Sequence, residues 1–183
     1  MDHVSYSMNK FMFDGFTRQQ IKTRDTRINL VRGGNGYPIL LLHGYPQTHV
    51  CWHRVAPILA ESFTVVCPDL RGFGDSDKPP SDPEHLAYSK RVMAQDQVEV
   101  MQRLGFGEFA VVGHDRGARV AHGMALDYEE KVTKLALLDI IPTGTAFASV
   151  DKEMATSAFN WFFSIQPDGL PERLIGAEPD SMM

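Results

Sequence analysis

The sequence has almost no cysteine, no long apolar run and no excess of basic charge, and each shortage excludes something. Cys51 and Cys67 are the only cysteines among 183 residues. Two isolated thiols give no disulfide framework and point to reduced core cysteines in a cytoplasmic protein. No stretch reaches the roughly 18 apolar residues of a membrane span. The N-terminus carries Asp2 and His3 where a signal peptide has a basic region and an apolar core. With 18 Lys and Arg against 23 Asp and Glu, the net charge is -5 and the pI is near 5.8. That balance argues against nucleic acid or an anionic membrane as a partner. Histidine is unevenly spread: His3, His43, His49, His53, His85, His114 and His122 are the seven, with none between Ile140 and Met183. Internal repeats and low-complexity segments are also missing.

What is present suffices for one sizeable core, since 43% of the residues are hydrophobic. Residues 1–15 show no periodic pattern. Phe16 to Thr23 and Thr26 to Val31 read as short strands joined by a turn at Arg24-Asp25. The Gly33-Gly34-Asn35-Gly36 loop that follows lacks the Lys-Ser/Thr ending and the helix of a phosphate cradle. It reads as a plain turn. Pro38 to Leu42 is a strand, Trp52 to Ala60 a helix and Phe63 to Cys67 the next strand. An amphipathic helix spans Ser89 to Leu104, and Val132 to Asp139 gives a late strand. Buried strands alternating with helices signal a mostly parallel α/β sheet whose site lies at the carboxyl ends of its strands.

The most informative stretch runs from Val111 to Arg119. The apolar run Phe109-Ala110-Val111-Val112 gives way to Gly113-His114-Asp115-Arg116-Gly117, and a helical pattern starts immediately after. A strand that turns straight into a helix, with glycines two before and two after a central residue, is a nucleophile elbow. Most elbows carry Ser; this one carries Asp115. A serine needs a base to remove its proton, whereas a carboxylate is already ionised at neutral pH. Its oxygen can displace a leaving group from carbon and form an alkyl ester, which water activated by a His must then cleave.

Three motifs, each after a strand, resemble the α/β-hydrolase fold in order and spacing. They are His43-Gly44-Tyr45-Pro46, Asp69-x-Arg71-Gly72-x-Gly74-x-Ser76 and Gly113-His114-Asp115-Arg116-Gly117. The finer pattern H-D-R-G-A-R, with L-L-D-I-I-P-T downstream, resembles the fluoroacetate (haloacetate) dehalogenases from about Phe11 to Ile175. That resemblance implies an α/β-hydrolase core over residues 1–142 and a partial helical cap over 143–183, with the last strands of the sheet missing. It implies hydrolysis of a 2-halo acid through an aspartyl ester, with no cofactor and no metal. The partner is a small halogenated carboxylate, with a homodimer as the candidate assembly.

The expected site follows residue by residue. The backbone N–H of Arg116 and that of Tyr45 are placed to serve an oxyanion hole. Arg119 lies one helical turn beyond Arg116, so the two guanidinium groups can form a fork for a carboxylate. The family holds its substrate carboxylate with the matching pair. By the same resemblance, Asp139 orients the catalytic His and Trp161 faces the departing halide. His114 reads as a structural histidine, and His43 as a shaper of the oxyanion loop.

Two departures qualify this picture. Asn160 stands where the family pattern has His beside the tryptophan; its amide still donates but never carries charge. Weaker stabilisation of departing fluoride is the expectation, favouring chloro- or bromoacetate. The nucleophile–acid–His order also calls for a histidine after Asp139, and none is present. The chain therefore reads as roughly the first three-fifths of such an enzyme, with an uncovered sheet edge. Two other readings stay open. One is an epoxide hydrolase, which shares the aspartate elbow but typically carries Trp after it. The other is a non-catalytic remnant or interaction module.

Overall fold

A computed structural model describes residues 12–178. The chain divides into two compact units at Ile140/Ile141. In the first, six strands form one sheet in the order β1-β2-β4-β3-β5-β6. They are β1 (Thr17–Lys22), β2 (Arg27–Gly33), β3 (Tyr37–Leu42), β4 (Phe63–Pro68), β5 (Phe109–His114) and β6 (Val132–Leu138). β1 and β2 form an antiparallel hairpin, β2 runs antiparallel to β4, and β3 to β6 are mutually parallel.

The strand order places the site. From β3 the chain crosses to β4 on one side, then returns to lay β5 on the other. The carboxyl ends of β3 and β5 therefore flank a topological switch point, where the loops diverge and leave a crevice. The register Leu42↔Gly113 sets the loop starting at His43 beside the elbow at Asp115.

Alternation along the strands builds two cores. Leu40 and Leu42 face one way, packing with Val111, Phe109 and the helices α2 (Lys90–Arg103) and α3 (Arg116–Asp127) through Met93, Val98, Met101, Val120 and Met124. Ile39 and Leu41 face the other way, against Val65, Trp52 and Ala56. Such two-sided burial explains why the central strands read as continuous apolar runs. β6 is less covered: Leu135, Leu137 and Leu138 remain 38%, 37% and 43% exposed.

The expected single helix from Trp52 to Ala60 is two pieces, a 3-10 helix over His49–Trp52 and α1 (Ala56–Ala60). Pro57 stands within the first two residues of α1; it has no N–H to continue a helix from the preceding turn, so the chain restarts there. Both cysteines are free thiols. Burial pushes Cys51 up to about 12, which leaves it unreactive at neutral pH.

Beneath the crevice, Asp69 on the loop after β4 is fully buried. Its Oδ1 accepts from the His49 N–H and from His49 Nδ1, each at 2.8 Å. Its Oδ2 accepts from Asn29 Nδ2 at 2.9 Å and the Asp75 N–H at 3.0 Å. Nearby, Arg71 and Asp96 form a buried bidentate pair at 2.6 and 2.7 Å.

The second unit carries α4 (Thr143–Ala148), α5 (Lys152–Ser157), α6 (Phe159–Phe163) and α7 (Leu170–Ala177). Asp151 caps α5 by accepting from the Met154 N–H at 2.8 Å. Phe147 lies against Trp161, and Phe159 stacks on Phe163. No described helix is long and apolar enough to cross a membrane.

Asp69 yields a test in acid. Burial pushes its carboxyl up, but the His49 bond and charge, with the backbone N–H groups of His49 and Asp75, outweigh burial and hold it at about 2. A carboxyl depressed in the folded state stabilises above its unfolded value of about 3.9, and that contribution is lost as pH falls through about 2. The loss should amount to about 2–3 kcal/mol. Urea titrations between pH 5 and pH 2 are expected to show it in the parent protein. Asp69→Asn, less stable from the start, is expected to lack that part of the decline.

Candidate active site

The elbow depends on close backbone approach. Asp115 has φ 48° and ψ -116°, a conformation that a non-glycine residue holds only when its surroundings impose it. Its N–H donates to the Leu138 carbonyl at 3.1 Å, tying the turn to the end of β6. Its carbonyl accepts from the N–H groups of Ala118 and Arg119 at 3.1 and 3.3 Å, starting α3. A Cβ on Gly113 would stand 2.6 Å from the Ala118 Cα, and one on Gly117 would meet the His43 and Leu42 carbonyl oxygens. Gly44 is constrained from the opposite side, since a Cβ there would lie 2.6 Å from the Asp115 Cβ. Glycine is therefore required at all three positions, Gly44 and Gly117 where the β3 loop touches the elbow and Gly113 where the first turn of α3 closes on β5.

That contact places the Tyr45 N–H 2.8 Å from Asp115 Oδ1, to which it donates. One oxygen of the carboxylate is thus held by a backbone donor. His43 fixes the loop from beneath. The Leu70 N–H donates to His43 Nε2 at 3.0 Å, so Nδ1 carries the proton and donates to the Gly44 carbonyl at 2.8 Å. Burial lowers the His43 pKa, which keeps this neutral tautomer.

The arginines gather at the same place. Arg116 lies over the Tyr45 ring, its Cζ 5.7 Å from the ring centre, a cation–π distance. Burial first, then the neighbouring Arg116 charge, lower the Arg119 pKa, with Asp115 opposing them. Asp115, Tyr45, Arg116 and Arg119 therefore share one electrostatic neighbourhood. Asp139, just after β6, has φ 52° and a side chain 91% exposed. The histidine it faces among the described residues is His114, whose Nε2 is 3.9 Å from Asp139 Oδ2. That separation is too long for a hydrogen bond.

Asn160 and Trp161 lie together on α6 of the second unit, Asn160 exposed and Trp161 half-buried. Among the described residues no group of three His, Cys, Asp or Glu side chains could hold a metal ion.

Two residues that sequence reasoning passed over belong to this site. Gln47 Oε1 accepts from the Gly44 N–H at 3.1 Å and from His114 Nδ1 at 3.1 Å, clamping the Tyr45 loop to the residue before Asp115. A glutamine in a loop carries no sequence signal for such a role. The second is Lys90, half-buried at the start of α2, whose charge interacts with Arg116, Arg119 and Asp115. Its position reads as the first turn of an amphipathic helix, so nothing in the periodicity marks it.

Comparison with known proteins agrees with this architecture. Residues 37–181 match the family model of the alpha/beta hydrolase fold. A fluoroacetate dehalogenase from Burkholderia sp is 52% identical over 170 residues, covering 93% of this chain and 56% of that protein. A soluble epoxide hydrolase from Corynebacterium sp. (strain C12) is 44% identical over 126 residues, covering 69% of this chain and 42% of that protein. A crystal structure of an α/β-hydrolase-fold protein from Nostoc sp PCC 7120 superposes with a TM-score of 0.89 at 62% identity, over 91% of this chain and 57% of that one. The chain spans a little over half the length of the first of these relatives.

Gln47→Leu preserves volume while removing both bonds to Oε1. Leaving the Gly44 and His114 donors without that acceptor should cost about 1–3 kcal/mol of stability, measurable by urea unfolding at neutral pH. The chain belongs to the α/β-hydrolase family.

Proposed function

We propose that this α/β-hydrolase chain carries the nucleophile and the carboxylate-binding groups of a hydrolytic dehalogenase of 2-halo acids. The observation that carries the reading is the Tyr45 N–H donating to Asp115 Oδ1 at 2.8 Å, beside the charges of Arg116 and Arg119. With Oδ1 held by the backbone, Oδ2 is the oxygen for attack on the halogen-bearing carbon. The C–halogen bond breaks with its electron pair leaving as halide, and the carbon is left esterified to Asp115. Water then adds at Cγ of the ester, placing negative charge on Oδ1 where the Tyr45 N–H already points. Collapse releases the 2-hydroxy acid and restores the carboxylate, so haloacetate and water give glycolate, halide and a proton.

Arg116 and Arg119 have two tasks in this scheme. They hold the substrate carboxylate, and they offset repulsion between that anion and the anionic Asp115. Trp161 is the proposed halide donor and Asn160 its neighbour, both roles resting on the family resemblance. Asp139 is the proposed orienting acid. The similarity to an enzyme named fluoroacetate dehalogenase supports the reading. Similarity to a soluble epoxide hydrolase supports a second one through the same aspartyl ester; the cationic surroundings of Asp115 favour an anionic substrate over a neutral epoxide.

Incubation with bromoacetate is expected to place a carboxymethyl ester on Asp115, seen by peptide mass spectrometry. Asp115→Asn should lose the ester by about a thousandfold or more. His114 Nδ1 is committed to Gln47 Oε1, and this sequence holds no histidine after Asp139. Halide release is therefore expected to stop near one equivalent per chain; sustained release would show that this chain activates water itself. Asn160→His should raise the rate with fluoroacetate relative to chloroacetate, read as fluoride against chloride release, and an unchanged ratio would remove Asn160 from halide selection.

A further inference from the structure

Lys90 stands in a place that local structure does not justify. It is the first residue of α2, where a cation faces the positive end of the helix dipole. The backbone around it is fixed. Ser89 Oγ caps the helix by accepting from the Val92 N–H at 3.3 Å. Arg71 Nη1 donates to the Ala87 carbonyl at 2.8 Å while its other nitrogens bind Asp96. The Tyr88 hydroxyl donates to the Pro79 carbonyl at 2.6 Å. The Tyr88 ring also fills the space beside Gly72, where a Cβ would stand 2.8 Å from Tyr88 Cε1.

The side chain is equally committed. Its Nζ lies 3.6 Å from Met93 Sδ, a weak acceptor, and the ion pairs between side chains of the described residues do not include it. Lys90 shares a helix face with Met93 and Ala94, three and four residues on, and both pack in the core with Val120, Ala121 and Met124 of α3; the charges it interacts with are Arg116, Arg119 and Asp115. Three cations and one carboxylate therefore interact here. Burial first, and the two arginines next, bring the ammonium down to about 8, with Asp115 opposing them. An excess of two positive charges in a partly desolvated crevice is a binding site for an anion.

We propose that Lys90 is the third cation of the Asp115 site and sets its affinity for the substrate carboxylate without acting in the bond-making step. The inference rests on the haloacid reading above. An arriving anion favours the ammonium form. Below pH 8 the cation is already present; as pH rises through about 8 it is lost from the empty site, and binding must then take up a proton. Affinity for an anion should fall with pH in that range.

The test is the kinetics of ester formation on Asp115, followed by peptide mass spectrometry with bromoacetate and its neutral analogue bromoacetamide from pH 6.5 to pH 9.5. In the parent protein, half-saturation by bromoacetate is expected to be flat at low pH and to rise above about pH 8 toward a plateau about five- to tenfold higher. Lys90→Met should raise it about five- to tenfold at pH 7, leave the limiting rate within about twofold, leave bromoacetamide unaffected and abolish the rise above pH 8. Lys90→Arg should restore affinity at pH 7 and stay flat to pH 9.5. Unchanged half-saturation in Lys90→Met, or equal weakening for both reagents, would overturn the proposal; so would a flat profile in the parent protein, which needs no variant to fold. Absence of any ester in the parent protein would refute the dehalogenase reading instead. Calorimetric titration with acetate then decides Lys90 on its own, and equal acetate affinity in the parent and Lys90→Met would overturn it.

Discussion

Everything at the site depends on the backbone of Asp115 being held where φ is 48°. A strained turn persists only if its neighbours leave no alternative. Here three glycines remove the side chains that would keep the β3 loop, the elbow and the first turn of α3 apart. The bond from the Asp115 N–H to Leu138 then closes the turn against β6. Relaxing any of these contacts would move Oδ1 away from the Tyr45 N–H, and the site would lose its one fixed reference point.

The polar networks under the crevice keep that geometry rigid. His43, held in a neutral tautomer by the Leu70 N–H, supports Gly44, and Leu70 follows Asp69, whose carboxylate organises the loop after β4. Arg71, the next residue but one, reaches across to Asp96 on α2 and to Ala87 just before it. A chain of hydrogen-bonded buried groups therefore runs from the Tyr45 loop to the start of α2. Buried charges are costly unless every partner is in place, so the network tolerates little distortion, and neither does the site above it.

Electrostatics gives this scaffold its chemical direction. An aspartate in a crevice would by itself repel an anion. Arg116, Arg119 and Lys90 bring cationic charge to its neighbourhood, and burial first, then mutual repulsion, lowers the pKa of Arg119 and Lys90. In the proposed reading those charges favour an anionic substrate, because a neutral epoxide gains little from them.

Much of the fold was legible in the sequence because its signals are local. Continuous apolar runs marked β3, β4 and β5, and the glycines around Asp115 marked the elbow. Arg116 and Arg119 were legible through helical spacing alone. The split of Trp52 to Ala60 at Pro57 went unread since the apolar pattern continues across it. Gln47 and Lys90 were invisible for a different reason: their partners lie 67 residues away in His114 and on a separate helix, and no short-range pattern encodes such a meeting. The sequence by itself determined the chemistry available, an ionised carboxylate between glycines with two arginines after it. Only the tertiary structure decided which backbone N–H meets that carboxylate and which third cation joins it, because both depend on the crossing order of β3 and β5 and the packing of α2 on α3.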